Sequence, residues 1–285
     1  YNGFYYVFLF NTGKVIECKL KGKNRKSNIG IFTGDDVIVD LSNEKPMIDS
    51  IQKRENYITR PLIANISQVL IVSSVKEPEI DYKLIDKLIL NAYKERLLVN
   101  LIFTKSDLLD SDSNIKEEIL SYYRSVAVDK IFLSTATGEN INKVNVLLKD
   151  NVTILAGLSG TGKTSMINVL LDMNNKVGNL GEKSRRGKHT TRYTELFPLK
   201  EGGFLADTPG FNVTDIHKNI SSSSLKDYYP DFVKYSKNCY YRNCTHINEP
   251  NCSVKDALKM SLISQKRYEN YCIYYKNLIE REFRG

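Results

Sequence analysis

Hydrophobic positions change their spacing twice along the chain. Near the N-terminus they fall in short β-prone runs, Tyr5–Phe10, Val15–Leu20, Val37–Leu41 and Met47–Gln52. Turn signals such as Asn11-Thr12-Gly13, Gly34-Asp35-Asp36 and Ser42-Asn43 part them. This pattern predicts a small antiparallel β-barrel of OB-fold size over residues 1–55. From Asn56 onward, apolar strands Gln68–Val75, Leu98–Thr104, Ile131–Ser134, Val152–Ala156 and Gly203–Asp207 alternate with helical stretches. Those stretches are Tyr82–Arg96, Ser113–Val126, Asn140–Lys149 and Thr164–Met173; in the first, Leu84, Ile85, Leu88, Ile89 and Ala92 share one helical face. Such alternation predicts a parallel sheet covered on both sides, spanning residues 56–213. Beyond Thr214 the chain reads as loop-rich and ends in a helix from Leu262 to Phe283, a third region over residues 214–285.

Composition narrows the class. Of 285 residues, 41% are hydrophobic and 26% charged, which fits a globular chain of more than one domain. No apolar run approaches the roughly 18 residues of a membrane span, and no secretory signal is visible, so a cytoplasmic chain without a membrane partner is expected. Tyr1 stands where a Met would, from which a trimmed chain is expected. A monomer is expected as well. The net charge of +8 is compatible with a polyanionic partner. Two stretches concentrate it: Lys19–Lys26 with five basic residues, and Lys176–Arg192 with six against Glu182. Either can be a solvated loop, but the second reads better as a contact with RNA phosphate. Tyr5, Tyr6 and Phe8 can stack bases, although core packing is the better reading of them.

The strongest chemical signal is Gly157-Leu158-Ser159-Gly160-Thr161-Gly162-Lys163-Thr164, set between a strand and a helix. Glycines let the backbone N–H groups close around a phosphate, and the helix N-terminus adds positive potential. Lys163 would reach the β- and γ-phosphates, and the Thr164 hydroxyl would ligate Mg²⁺. Thr104-Lys105-Ser106-Asp107 ends an apolar strand and resembles the guanine-reading Asn-Lys-x-Asp, with Thr in place of Asn. A carboxylate at Asp107 can accept from the ring N–H and the exocyclic amine of guanine, a donor pair adenine lacks. Ser134-Thr135-Ala136 resembles the short loop that backs the base. Asp207-Thr208-Pro209-Gly210 resembles the D-x-x-G of GTPases, with Asp207 on Mg²⁺ through water and the Gly210 N–H facing the γ-phosphate. The next residue is Phe211 rather than Gln, so another group must orient the attacking water.

Cys239, Cys244, His246 and Cys252 form a separate cluster. Three thiolates and an imidazole complete a four-coordinate Zn²⁺ and leave no open position, so a structural site is favoured. Zinc would replace a core that so loop-rich a segment cannot build.

The guanine-reading pieces precede the phosphate loop and D-x-x-G comes last, an order that a circular permutation explains. With that order, the basic segment Gly187-Lys188-His189-Thr190-Thr191, Asp207–Phe211 and the Cys/His cluster, the chain closely resembles the circularly permuted, ribosome-small-subunit-dependent GTPases often called RsgA. The resemblance implies an N-terminal OB-fold barrel, a permuted P-loop GTPase core and a C-terminal zinc-binding region. It implies GTP and GDP as ligands, Mg²⁺ and one zinc as cofactors, and the 30S subunit with its rRNA as partner. It also points to His189 as the group that orients or deprotonates water, with a purely buttressing role left open, and to Thr191 in the Mg²⁺ shell. Two other readings remain: a permuted GTPase serving another RNA or protein, and an RNA-binding zinc protein whose nucleotide is only a structural clamp.

Overall fold

A computed structural model describes residues 4–21, 30–42, 44–59, 62–110, 112–174, 195–207 and 216–284, with the backbone alone at 172–174 and 207. The basic segment 176–192, including His189, Thr190 and Thr191, lies outside the described residues, as do Gly210 and Phe211. Two compact units emerge: Tyr1–Ser67 with Asn145–Ile154 and Asn168–Phe211, and Gln68–Val144 with Leu155–Ile167 and Asn212–Gly285.

In the first unit, β1 (Phe4–Leu9), β2 (Lys14–Leu20), β3 (Val37–Asp40) and β4 (Met47–Ile51) form a sheet in the order β1-β2-β4-β3. The sheet is mixed rather than antiparallel throughout, because β2 and β4 pair in parallel, Lys19 with Met47 and Leu20 with Ile48. β3 lies at the far edge, and β4 returns beside β2 in the same direction. The hairpin β5 (Tyr57–Thr59) and β6 (Leu62–Ala64), which the hydrophobic pattern did not announce, follows. Phe8 is half-buried and packs edge-on against the exposed Phe10 and against Phe204, whereas Tyr6 is exposed. β10 (Val152–Ala156) pairs in parallel with β12 (Phe204–Asp207), and the edge strand β11 (Glu195–Pro198) runs antiparallel to β12.

In the second unit, β7 (Gln68–Ser74), β8 (Leu98–Thr104) and β9 (Lys130–Leu133) run parallel. Every residue of β7 is buried, as expected of a strand covered on both faces. In this unit the strands lie in the order β7-β8-β9. Helices α1 (Tyr82–Lys94), α2 (Ile115–Tyr122), α3 (Ile141–Leu148) and α4 (Lys163–Asn174) fall where periodicity predicts them. Asp81 caps α1 by accepting from the Leu84 N–H at 2.9 Å.

The predicted stripe of α1 is buried, but so are Asp86, Leu90 and Asn91 on its other side. The helix is covered twice: by β7 and β8, and by the C-terminal region. That region corrects the loop-rich expectation. It holds α5 (Pro230–Ser236), α6 (Ser253–Lys259) and α7 (Gln265–Arg284) around a core of its own. Tyr229, Phe232, Tyr271, Tyr274 and Leu278 pack there with Leu90 of α1. Zinc therefore supplements a hydrophobic core instead of replacing one.

Candidate nucleotide site and metal centre

β10 ends at Ala156 and the chain turns at Gly157, whose φ is +137°. A Cβ there would stand 2.0 Å from the Val72 carbonyl oxygen of β7, so only glycine fits. Gly160 and Gly162 also lie in left-handed backbone, at φ +80° and +85°. Between them Thr161 is buried, and its hydroxyl donates to the Leu158 carbonyl at 2.9 Å, closing the loop on itself. Lys163 opens α4 and lays its ammonium back across the loop, donating to the carbonyls of Gly157 at 2.7 Å and Leu158 at 2.5 Å. Ser159 and Thr164 are exposed. This is a cationic, N–H-rich turn at a helix N-terminus, a cradle for phosphate.

The turn after β8 meets that loop. Thr104 is buried, and its hydroxyl donates to the Thr161 carbonyl at 2.6 Å. The side chain that replaces the usual Asn thus acts as a strut between the two loops. Lys105 adopts left-handed backbone at φ +59° and donates its ammonium to the Glu77 carbonyl. Ser106 donates to Glu139 at 2.7 Å. Asp107 is exposed and accepts from the Ser134 hydroxyl at 2.5 Å through Oδ1. Ser134 is held in turn by the N–H groups of Ala136 (3.2 Å) and Thr137 (3.1 Å). One carboxylate oxygen is thereby anchored, and the other has no partner among the described residues. Asp107, Ser134 and Gly157 all follow the carboxyl ends of strands, where open α/β sheets bind ligands. Asp207 closes β12 opposite Glu195; the rest of its motif lies outside the described residues.

The four ligand atoms of Cys239, Cys244, His246 and Cys252 lie within 4.8 Å of one another. Cys239 and Cys252 sulfurs are 4.0 Å apart, and His246 Nδ1 stands 3.3 Å from Cys252 and 3.7 Å from Cys239. A tetrahedron of zinc–sulfur bonds has edges of about 3.8 Å, so the donor set fits one zinc. Burial pushes the Cys244 thiol up to about 12 and holds His246 down to about 4. The imidazole is therefore neutral, as a ligand must be, and a divalent cation would offset the cost of the thiolates. The loop is pinned from outside. Glu249 accepts from the Thr245 N–H (2.6 Å), the Thr245 hydroxyl (2.8 Å) and the Ile247 N–H (3.1 Å), which hold its carboxyl down to about 2. Tyr268 and Tyr271 of α7 donate their hydroxyls to the carbonyls of His246 (2.6 Å) and Thr245 (2.5 Å).

The RsgA GTPase family matches residues 49–217, and the RsgA N-terminal domain matches residues 1–47. A relative from Carboxydothermus hydrogenoformans is 40% identical over 99% of this chain and 96% of its own, and carries the name small ribosomal subunit biogenesis GTPase RsgA. The chain belongs to the RsgA GTPase family. Two solved structures share the fold of this RsgA-family chain. One is YjeQ from Thermotoga maritima, with TM-score 0.82 and 32% identity over 97% of this chain and 94% of that one. The other is YloQ, described as a circularly permuted GTPase, with TM-score 0.81 and 28% identity over 98% of this chain and 92% of that one.

One buried group in this RsgA-family chain has no counterpart in the sequence reading. Arg267 of α7 donates to Asp86 of α1 and, through Nε at 2.8 Å and Nη2 at 3.1 Å, to Asp231 of α5. All three are at most 1% exposed, and Tyr122 and Asn270 donate to the remaining oxygen of Asp86. Nothing local marks these residues as partners, because Asp86 and Arg267 are 181 positions apart.

Two expected outcomes test the candidate sites. Asp107→Asn should lower GTP affinity roughly 10- to 100-fold, the scale of lost charge-assisted hydrogen bonds, and shift preference toward xanthine nucleotides. Paired GTP and XTP titrations read this directly. Metal analysis of freshly purified, reduced protein should find one zinc per chain, and Cys244→Ser should lose it. The substitution should melt the segment around Cys239–Cys252 while GTP titration stays unchanged, because neither nucleotide loop contributes to that core.

Proposed function

We propose that this RsgA-family chain is a GTP hydrolase that binds the small ribosomal subunit and acts in its late maturation, the subunit stimulating hydrolysis. The observation that carries this is the joining of Gly157–Thr164 to the Asp107 turn through the Thr104–Thr161 hydrogen bond. It occurs in a chain that matches a small ribosomal subunit biogenesis GTPase from end to end.

In this reading residues 1–55 are the barrel, 56–213 the permuted GTPase and 214–285 the zinc-bearing region. Asp107 reads guanine with Lys105 alongside, and Gly157–Gly162 wrap the phosphates. Lys163 leaves its two carbonyls for the β- and γ-phosphates, where its charge stabilises the charge that develops during transfer. Thr164 and Thr191 would hold Mg²⁺ directly and Asp207 through water, and the ion would neutralise phosphate charge. The Gly210 N–H senses the γ-phosphate, and His189 orients or deprotonates the attacking water. The chain works as a cytoplasmic monomer without a membrane partner, and no helix among the described residues is long and apolar enough to cross one.

The test is GTP turnover alone, with 30S subunits, and with 50S subunits or bulk RNA as controls. Stimulation by 30S alone is expected, and His189→Ala should cut that stimulated rate by about 10²-fold or more with GTP binding retained. Stimulation by bulk RNA would favour another RNA partner. GTP left intact beside 30S subunits would favour a structural nucleotide, and an unchanged rate in His189→Ala would make that residue a buttress.

A further inference from the structure

In the zinc-bearing region Tyr229, Phe232, Tyr271 and Tyr274 are buried, whereas Tyr240, Tyr241 and, at the end of α7, Phe283 are exposed. Tyr240 is 75% and Tyr241 46% exposed, and their rings stand edge to face with centroids 5.0 Å apart. Tyr268, Tyr271 and Tyr274 place their hydroxyls on backbone carbonyls, whereas those of Tyr240 and Tyr241 have no partner among the described residues. The pair sits between two candidate zinc ligands, Cys239 and Cys244. Its backbone is held, since the Tyr240 N–H donates to Asn251 at 3.2 Å and the Tyr241 carbonyl accepts from the Cys244 N–H at 3.1 Å. The rings are therefore displayed on a stiff turn, so ordering them on binding costs little.

Charge selects the occupant. Between Phe232 and Cys244 the sequence carries Lys234, Lys237 and Arg242 and no carboxylate. Lys237 and Arg242 are exposed and have no ion pair among the described residues. Exposed rings beside unpaired cations match unstacked bases and their phosphates. They match a protein surface poorly, since that would have to bury the cations against counter-charges of its own.

We propose that Tyr240 and Tyr241 form a stacking platform for unpaired RNA bases, with Lys237 and Arg242 on the flanking phosphates. The identity of that RNA as part of the small subunit rests on the function proposed above; the platform itself does not.

The chain contains no tryptophan, so Tyr240→Trp introduces a single fluorophore that keeps the stacking face. Its emission should be quenched by a single-stranded RNA oligonucleotide and by 30S subunits, and less by an RNA duplex of equal length. Replacing both Tyr240 and Tyr241 with Ala should weaken RNA and 30S binding by at least roughly 10- to 100-fold, the scale of one lost base–aromatic stack. Tyr240→Phe should bind as the parent does, and zinc content and GTP affinity of the double-alanine protein should be unchanged. Parental RNA and 30S affinity in the double-alanine protein would overturn the platform. So would a Trp emission that shifts to the blue on 30S binding without quenching, the sign of a protein surface. Quenching of the Tyr240→Trp protein by RNA, when neither it nor the parent binds 30S subunits, would keep the platform and reject the ribosomal reading. Binding of 30S with no quenching would do the reverse.

Discussion

Replacing Arg267 with methionine is expected to destabilise the unit that carries it by about 3–5 kcal/mol. In the native chain one guanidinium serves two carboxylates, Asp86 and Asp231, both fully buried. Removing it leaves two acids facing each other in a site that water does not reach, and burial already pushes the Asp86 carboxyl up from its ordinary range. For a protein of this size the loss corresponds to a fall in Tm of roughly 6–20 °C. Arg267→Lys should fare little better, because an ammonium cannot span two carboxylates with a planar fork. The informative comparison is the triple change Arg267→Met, Asp86→Asn, Asp231→Asn. With no uncompensated charge left, it should recover much of the stability lost by Arg267→Met alone, and thermal melts of the three proteins decide this. Recovery would show that the triad serves to join α1, α5 and α7 in one register rather than to add net stability. If Arg267→Met melts with the parent, the network carries no weight in this fold.

That triad also marks where sequence reading stops. The strands β7, β8 and β10 and the helices α1 to α4 were legible because burial imposes a run or a period along them and turn residues bound them, and so were the phosphate loop and the Cys/His cluster, whose chemistry is local in sequence. Helices α5 and α6 have seven residues each, barely two turns for a helical period to stand out, and their core draws in Tyr229, Tyr271 and Tyr274, which pattern as half-polar. β5 and β6 have three residues each and are likewise too short to read. Asp86 and Arg267 look like solvated charges on the exposed sides of helices, and only the packing of α7 on α1 reveals otherwise. Thr104 was read as part of the base-reading turn. Its burial and its bond to Thr161 are tertiary facts that a motif cannot contain. His189, Thr191 and Gly210, which the resemblance nominated, stand outside the described residues and keep the rank of proposals.

A graded pair of glycine substitutions separates backbone strain from steric exclusion in the phosphate loop. At Gly160 an added Cβ meets only the Pro78 ring at 3.8 Å, so Gly160→Ala should suffer the cost of left-handed backbone and little else. That cost is about 1–2 kcal/mol, or roughly 5- to 30-fold in GTP affinity if it falls wholly on the binding-competent loop. At Gly157 the same methyl would stand 2.0 Å from the Val72 carbonyl oxygen and 3.0 Å from its carbon. Val72 cannot retreat, because it lies in the fully buried β7 and is paired with Ile102 of β8. The loop must move instead, by more than an ångström to restore ordinary contact. Such a movement misaligns the N–H groups meant for phosphate and draws the Gly157 carbonyl away from Lys163. Gly157→Ala should therefore lower GTP affinity by more than about 100-fold, the scale on which an ångström of misplacement is felt. Gly202→Ala serves as the control for general strain. Its φ is +92° and its Cβ would meet the Asp150 carboxylate at 2.3 Å, a flexible end that can swing aside, far in sequence from the loop. GTP titrations of the three proteins should rank Gly202→Ala as parental, Gly160→Ala as intermediate and Gly157→Ala as nearly unable to bind. Parental affinity in Gly157→Ala would mean that the close approach of Gly157 to the Val72 carbonyl does not position the phosphate loop.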